Sequence, residues 1–343
     1  MMVAPLYPSK PVSQVRHIVS NETKISCEVA VIVPCYNAAS CLARALDSAL
    51  AQTFAHSHVF AIDDGSTDDT QAALLPYAGR ITQIPQPHAG QATARNHGIR
   101  LSDSPYIAFL DADDEWLPEK LQRQLEILKR DPQIGLLYSD CFTSGTGPDA
   151  GSHFARVGVP ASGRSFEQFL RSCNVFTPTA IVRRECLEDV GLFNESLAVG
   201  EDFNLWLRIA SKWKVAVIPE VLAIRHRRPG SLSATTTPER TFGSSIASFE
   251  HIMQSCPSLS PHERYALSRA LADRHYHYGA YLLQKGYRAL ASDQMRKAMH
   301  RGRRDWRVLG KFGLSFLHPR AFAPLQKVWQ SIKPRPIQTS QLS

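Results

Sequence analysis

The sequence predicts an α/β protein: a doubly wound, mostly parallel, Rossmann-like sheet with a C-terminal helical extension. Two observations carry this. Short apolar runs alternate with helix-patterned stretches from Ala30 to Tyr138, the order of a parallel sheet with crossover helices. Polar or acidic turns follow several of those runs, at Asn37, at Asp63-Asp64 and at Asp111-Ala112-Asp113-Asp114. Open α/β sheets bind their ligands at the carboxyl ends of strands.

Ala30-Val-Ile-Val33 is a β-branched run closed by Pro34, and reads as a buried strand. Leu42, Ala45, Leu46, Ala49 and Leu50 give helical spacing within 38–51. His58–Ile62 is a second strand, and 68–75 a helix whose first free N–H groups Asp68 can accept. Ile81–Ile84, Tyr106–Leu110 and Ile134–Tyr138 are further strands, with a helix over 91–101. Pro118–Arg130 is an amphipathic helix with Pro in its first turn. Residues 143–163 are rich in Gly, Ser and Pro and read as a long loop. Thr179–Val182, Val215–Ile218 and Val221–Ile224 are strands, 201–211 is a helix, and the chain is helical again from about Pro261.

Seven cysteines lie scattered without a C-x-x-C pair, which argues against zinc and for reduced thiols in a cytoplasm. No window approaches the roughly 18 consecutive apolar residues of a membrane span. The net charge of +8 is uneven: 13 Lys and Arg face two Asp between Gln284 and Arg335. The cationic character therefore belongs to the tail, which argues against a core that grips nucleic acid. We divide the chain into a flexible leader (1–28), a core domain (29–240), a basic helical region (241–335) and a disordered tail (336–343).

The most informative motif is Asp111-Ala-Asp113. Carboxylates spaced D-x-D just past a buried strand suit a hard divalent cation that keeps positions open for phosphate oxygens. It stands in order with Val33-Pro-Cys-Tyr-Asn37, Asp63-Asp-Gly-Ser-Thr-Asp68, Arg95-Asn96 and Gly200-Glu-Asp202. Together these motifs point to an enzyme acting on a nucleotide diphosphate-sugar.

From Val29 to about Ser233, through these motifs and Gly200-Glu-Asp-Phe-Asn-Leu-Trp-Leu-Arg208, the chain resembles family 2 glycosyltransferases of the GT-A fold. The resemblance implies a nucleotide site at Pro34, Tyr36 and Asn37, with Asp64 on the base and Asp63 nearby. An Asx-turn is the competing reading of those two acids. Arg95 would contact a base carbonyl or a phosphate, or alternatively form a salt bridge to a nearby aspartate. Asp113 would hold Mg2+ or Mn2+ directly, and Asp111 would touch the ribose or the metal. Asp202 would be the general base and Glu201 a positioning acid, although two acids can also simply complete a helix N-terminus. His226 would add a metal ligand or phosphate donor and Arg228 a phosphate contact, against the reading of a solvated basic loop.

The expected activity is inverting, metal-dependent transfer from a nucleotide-sugar donor, a UDP-sugar by preference, to a hydroxyl of a glycan or lipid-linked acceptor. A sugar nucleotidyltransferase is the first rival, but it calls for a Gly-rich basic loop where Pro34-Cys-Tyr-Asn37 stands. The second is a scaffold on a decayed transferase core, against which the intact acids speak. The enzyme is expected in the cytoplasm, peripheral to the membrane. Trp306, Leu309, Phe312 and Phe316, with Arg303, Arg304, Arg307 and Lys311 among them, suit an interfacial helix. Packing of that stripe on the protein itself is the alternative.

Overall fold

The computed structural model describes residues 27–163, 166–227 and 236–315. Four strands form its parallel half: β1 (Val29–Cys35), β2 (Ser57–Asp63), β3 (Thr82–Pro85) and β4 (Tyr106–Phe109). They lie side by side in the order β3-β2-β1-β4. Beyond β4 the sheet continues through β8 (Ile181–Arg183), β6 (Ile134–Thr143), β9 (Lys214–Arg225) and β5 (Glu115–Trp116), while β7 (Gly151–Ser152) pairs with β6. β8 runs antiparallel to both β4 and β6, whereas β6 and β9 are parallel.

β1 explains why these strands read as unbroken apolar runs. Ala30 and Ile32 join one core layer, while Val29, Val31, Val33 and Cys35 join the other. Both faces are covered, so alternation is lost. The helices α1 (Leu42–Leu50) and α4 (Lys120–Arg130) bury their leucines in the second layer. On the opposite face lies α3 (Gln91–Arg100), pressed close to β1: a Cβ on Gly98 would sit 2.9 Å from Ile32. The remaining helices of the core are α2 (Thr70–Leu74), α5 (His153–Val157), α6 (Phe166–Arg171), α7 (Arg184–Val190) and α8 (Glu201–Lys212).

Several expectations are corrected. Pro34 does not close β1 but lies within it, opposite Ile62. Pro118 precedes α4, which begins at Lys120. The expected loop after Thr143 carries β7 and α5, fastened by Asp140: its Oδ1 accepts from the Phe154 amide at 2.9 Å and its Oδ2 from the Ser152 hydroxyl. The two strands expected within 215–224 are one, because a bulge against β6 absorbs Pro219 and Glu220.

Helical structure resumes at Pro238 rather than Pro261. α9 (Pro238–Ser255), α10 (Pro261–Gln284), α11 (Arg288–His300) and α12 (Trp306–Ser315) follow. Phe249, Ile252, Leu267 and Leu271 join the first core layer of the α/β unit. In the tail stripe, Phe312 packs beside Tyr276, Met295 and Val308, while Trp306 and Leu309 stay exposed. Arg303 pairs with Asp273 and Asp305, and Lys311 lies over the Tyr276 ring. Phe316 and the residues after it lie outside the described residues.

Candidate active site

The β1 and β2 ends build the first wall. Asn37 has φ +48°, rare for a residue other than glycine. It holds the turn by accepting the Thr67 amide at 2.8 Å and donating its own amide to Ser66 Oγ at 3.0 Å. Its observed contacts thus tie one loop to another. Tyr36 is exposed and stacks on His88, ring centroids 4.2 Å apart. Gly65 is required between them: it has φ +72°, and a Cβ there would meet the His88 amide nitrogen at 2.7 Å.

Asp63 and Asp64 are both buried, and their surroundings differ. Asp64 accepts from Gln86 Nε2 (2.7 Å), the Ala89 amide (2.9 Å) and the Gly90 amide (2.8 Å), with His88 Nδ1 2.9 Å away. Its carboxylate is consumed in shaping the 86–90 loop. Asp63 accepts the Ser66 amide through Oδ1 at 3.0 Å, and its buried Oδ2 has no partner among the described residues. A buried acceptor without a donor is costly, and of the two acids Asp63 is the one with an oxygen still open to a donor.

The D-x-D turn leaves β4 one residue after the strand. Asp111 Oδ1 accepts from Arg95 Nη2 at 2.7 Å, and Arg95 Nη1 donates to Glu201 Oε1, also at 2.7 Å. Arg95 is fully buried on α3. Burial opposes its charge, but Asp111 and Glu201 more than offset this and hold its pKa above the usual guanidinium value. Of the two sequence readings, the structure shows the ion pair, and it shows two of them. Glu201 itself is buried; burial, then the Asp202 charge, push it up to about 7 while Arg95 pulls the other way.

Asp114 is buried and lies well above the ordinary carboxylate range, through burial and then the charges of Asp111 and Asp113. Its Oδ1 accepts the His226 amide at 3.0 Å, which ties the end of β9 to the turn. The His226 ring is placed near the acids but already occupied. Nδ1 is 3.1 Å from Ser144 Oγ, and Nε2 is 2.9 Å from Glu115 Oε2. As a metal ligand it would have to give up one of these. Arg228 lies outside the described residues.

Asp202 stands at the start of α8, where Gly200 enters with φ +72°. Its Oδ2 accepts from Thr177 Oγ1 at 3.0 Å and its Oδ1 from the Phe203 amide at 2.6 Å. No motif marks Thr177. It sits on a short turn, Thr177–Thr179, held from below by two donors: Trp116 Nε1 to the Pro178 carbonyl (2.7 Å) and Gln124 Nε2 to the Thr179 carbonyl (2.8 Å). Lys120, buried and shifted well below its usual pKa by that burial, donates to Gln124 Oε1.

A divalent metal fits this turn by its donor chemistry. Asp111 supplies hard oxygen, is 30% exposed, and has no partner on Oδ2 among the described residues. Among the described residues no three His, Cys, Asp or Glu side chains form a preassembled metal group. Mg2+ commonly takes only one or two carboxylates and completes its shell with water and substrate phosphate, a donor set with which the acids of this turn are compatible.

Residues 30–191 match the model of glycosyl transferase family 2. An uncharacterized glycosyltransferase of Rickettsia conorii is 33% identical over 208 residues, which are 60% of this chain and 33% of that protein. The chain therefore spans only about a third of that relative. The Escherichia coli UDP-Glc:alpha-D-GlcNAc-diphosphoundecaprenol beta-1,3-glucosyltransferase WfgD is 28% identical, covering 55% of this chain and 72% of its own. In fold, S. aureus TarS 1–349 in complex with UDP-GlcNAc superposes with a TM-score of 0.64 at 16% identity, over 90% of this chain and 93% of its own. The unit seen here is thus of the GT-A type in fold, and its residues 30–191 are similar to glycosyl transferase family 2.

Proposed function

We propose that the protein is an inverting, metal-dependent glycosyltransferase that moves a sugar from a UDP-sugar to a hydroxyl of a glycan or lipid-linked acceptor. The observation that carries this is the Asp111–Arg95–Glu201 bridge. It joins the turn suited to a diphosphate with the helix start that bears Asp202. Asp63 Oδ2 accepts the imide N–H of the base, a donor that uracil has, and Tyr36 lies beside it. Asp113 and Asp111 would hold Mg2+ or Mn2+, which when bound would supply Lewis-acid stabilisation of the departing diphosphate. Asp202 takes the proton of the acceptor hydroxyl as its oxygen bonds to the anomeric carbon and the bond to the diphosphate breaks. A single displacement of this kind inverts the anomeric centre. Thr177 orients the Asp202 carboxylate.

The lipid-linked acceptor class rests on the name of WfgD. No helix among the described residues is long and apolar enough to cross a membrane. In our reading the protein is cytoplasmic and touches anionic lipid through the region around exposed Trp306 and Leu309, where Arg304 and Arg307 lie close in sequence. Sedimentation with anionic vesicles at low salt is expected for the full chain and lost on truncation after Gly302. Unchanged vesicle binding by the truncated chain contradicts the tail contact.

The metal role is tested with Asp113→Ala. Turnover of UDP-sugar should fall about a hundredfold or more, and Mn2+ should no longer strengthen UDP binding, while the melting temperature holds. Near-normal turnover by this variant in the presence of chelator sinks the metal assignment.

A further inference from the structure

One cation near the base is unaccounted for. Arg225 ends β9, half-buried, and its guanidinium lies over the Phe176 ring, 5.3 Å from the centroid. Three other arginines of the α/β core have acceptors: Arg95 two carboxylates, Arg184 the Ser104 carbonyl and Ser102 Oγ, Arg208 three carbonyls and Asn204 Oδ1; Arg274, on the helical extension, lies over the Phe249 ring instead. The Arg225 guanidinium has no ion pair or hydrogen-bond acceptor among the described residues. Asp114 feels its charge, but that carboxyl sits well above its ordinary range and accepts the His226 amide. The segments beyond the described residues contain a single acidic side chain, Glu22. A guanidinium partly withdrawn from water without an anion is costly. Its forked donors and its stacking on an aromatic face are the features with which arginine binds phosphate or carboxylate.

The neighbours define a site. Phe176 precedes Thr177, which donates to Asp202. The His153 ring meets the edge of Phe176 at 4.9 Å, and its Nε2 is 3.2 Å from Asn174 Oδ1. Arg156 Nη2 approaches His153 Nδ1 at 3.3 Å. Asn174 and Arg156 also line an open groove with exposed Val157 and Val159. The other acid of this corner, Asp140, is already satisfied by Ser152, Cys141 and Phe154. The uracil-side residues Tyr36 and Asp63 belong to the ends of β1 and β2, whereas this corner is built from β9, α5 and the segment before Thr177.

We propose that Arg225, with His153 and Arg156 beside it, is an anion subsite for the acceptor, which therefore carries a phosphate or diphosphate next to the sugar being extended. This rests on the glycosyltransferase reading and adds to it the charge of the acceptor. The D-x-D turn already serves the donor diphosphate, so a second anion site next to Thr177 and Asp202 serves the other substrate.

The test uses the full chain saturated with UDP and Mg2+, titrated with two synthetic probes. One is N-acetylglucosaminyl diphospho-undecyl, the other the neutral undecyl glycoside of the same sugar. Wild type should bind the diphosphate probe about tenfold or more tightly than the neutral one, the scale of a lost charge-assisted contact. Arg225→Gln should abolish that preference and His153→Ala should reduce it. Arg225→Lys, which keeps the charge and the stem, should retain part of it and serves if the Gln variant fails to fold. Equal binding of both probes by wild type overturns the proposal, as does a preference that survives in Arg225→Gln. A preference that disappears as UDP saturates the protein assigns Arg225 to the donor diphosphate and overturns the acceptor site. Failure of UDP itself to bind would instead remove the underlying transferase reading.

Discussion

Asp202→Asn should lower the turnover number about 10²–10⁴-fold, the usual cost of losing a general base, while UDP-sugar affinity changes little. Asn keeps the shape of the side chain. It can still accept through its carbonyl oxygen from Thr177 or from the Phe203 amide, the two bonds that fix Asp202. What it cannot do is take the acceptor proton. Steady-state kinetics over a range of donor concentrations separates the two quantities. A variant that loses donor affinity but keeps its rate at saturation makes Asp202 a positioning residue.

Arg95→Met is expected to be the most damaging substitution for the fold, at about 3–5 kcal/mol, the cost of leaving buried charge without its partner. Met fills much of the stem's volume, but Glu201 Oε1 and Asp111 Oδ1 each lose a 2.7 Å ion pair. The same change frees the D-x-D turn from α8, so activity should fall together with stability. Denaturant unfolding beside a UDP-release assay reads both. Stability within about 1 kcal/mol of wild type, roughly the worth of a solvent-exposed pair, would contradict the role given to the bridge.

Both effects depend on how the chain returns to one place, and this is where sequence and structure part. The strands are legible because burial on both faces makes Val29–Cys35 continuously apolar. The turns after β1, β2 and β4 are legible because polar and acidic residues at strand ends break that pattern. β9 reads as two strands because Pro219 and Glu220 interrupt the run, and only its pairing with β6 reveals a bulge. α9 escapes the sequence reading because Gly243, Ser244, Ser245 and Ser248 weaken its helical signal. The buried Ser245 and Ser248 lie on a helix that packs through Phe249 and Ile252.

Within the site, residue types are readable and partners are not. Nothing local distinguishes Asp63 from Asp64; the difference arises because the 86–90 loop directs its donors to Asp64. The salt-bridge alternative for Arg95 is visible from sequence, but its second arm reaches Glu201, 106 positions away. Thr177 carries no motif at all, and Arg225 is marked only as the first residue of the basic run Arg225-His226-Arg227-Arg228. Their importance comes from standing next to Asp202 and Phe176.

The central claim is that this site transfers sugar from a nucleotide donor. Its most direct test is UDP release from a panel of UDP-sugars by wild type and Asp113→Ala, each with Mn2+ and with chelator. The account predicts that at least one UDP-sugar is turned over by wild type with Mn2+, and that chelator or the substitution abolishes it. UDP release that is equal in all four conditions, or absent in all of them although UDP binds, would contradict it.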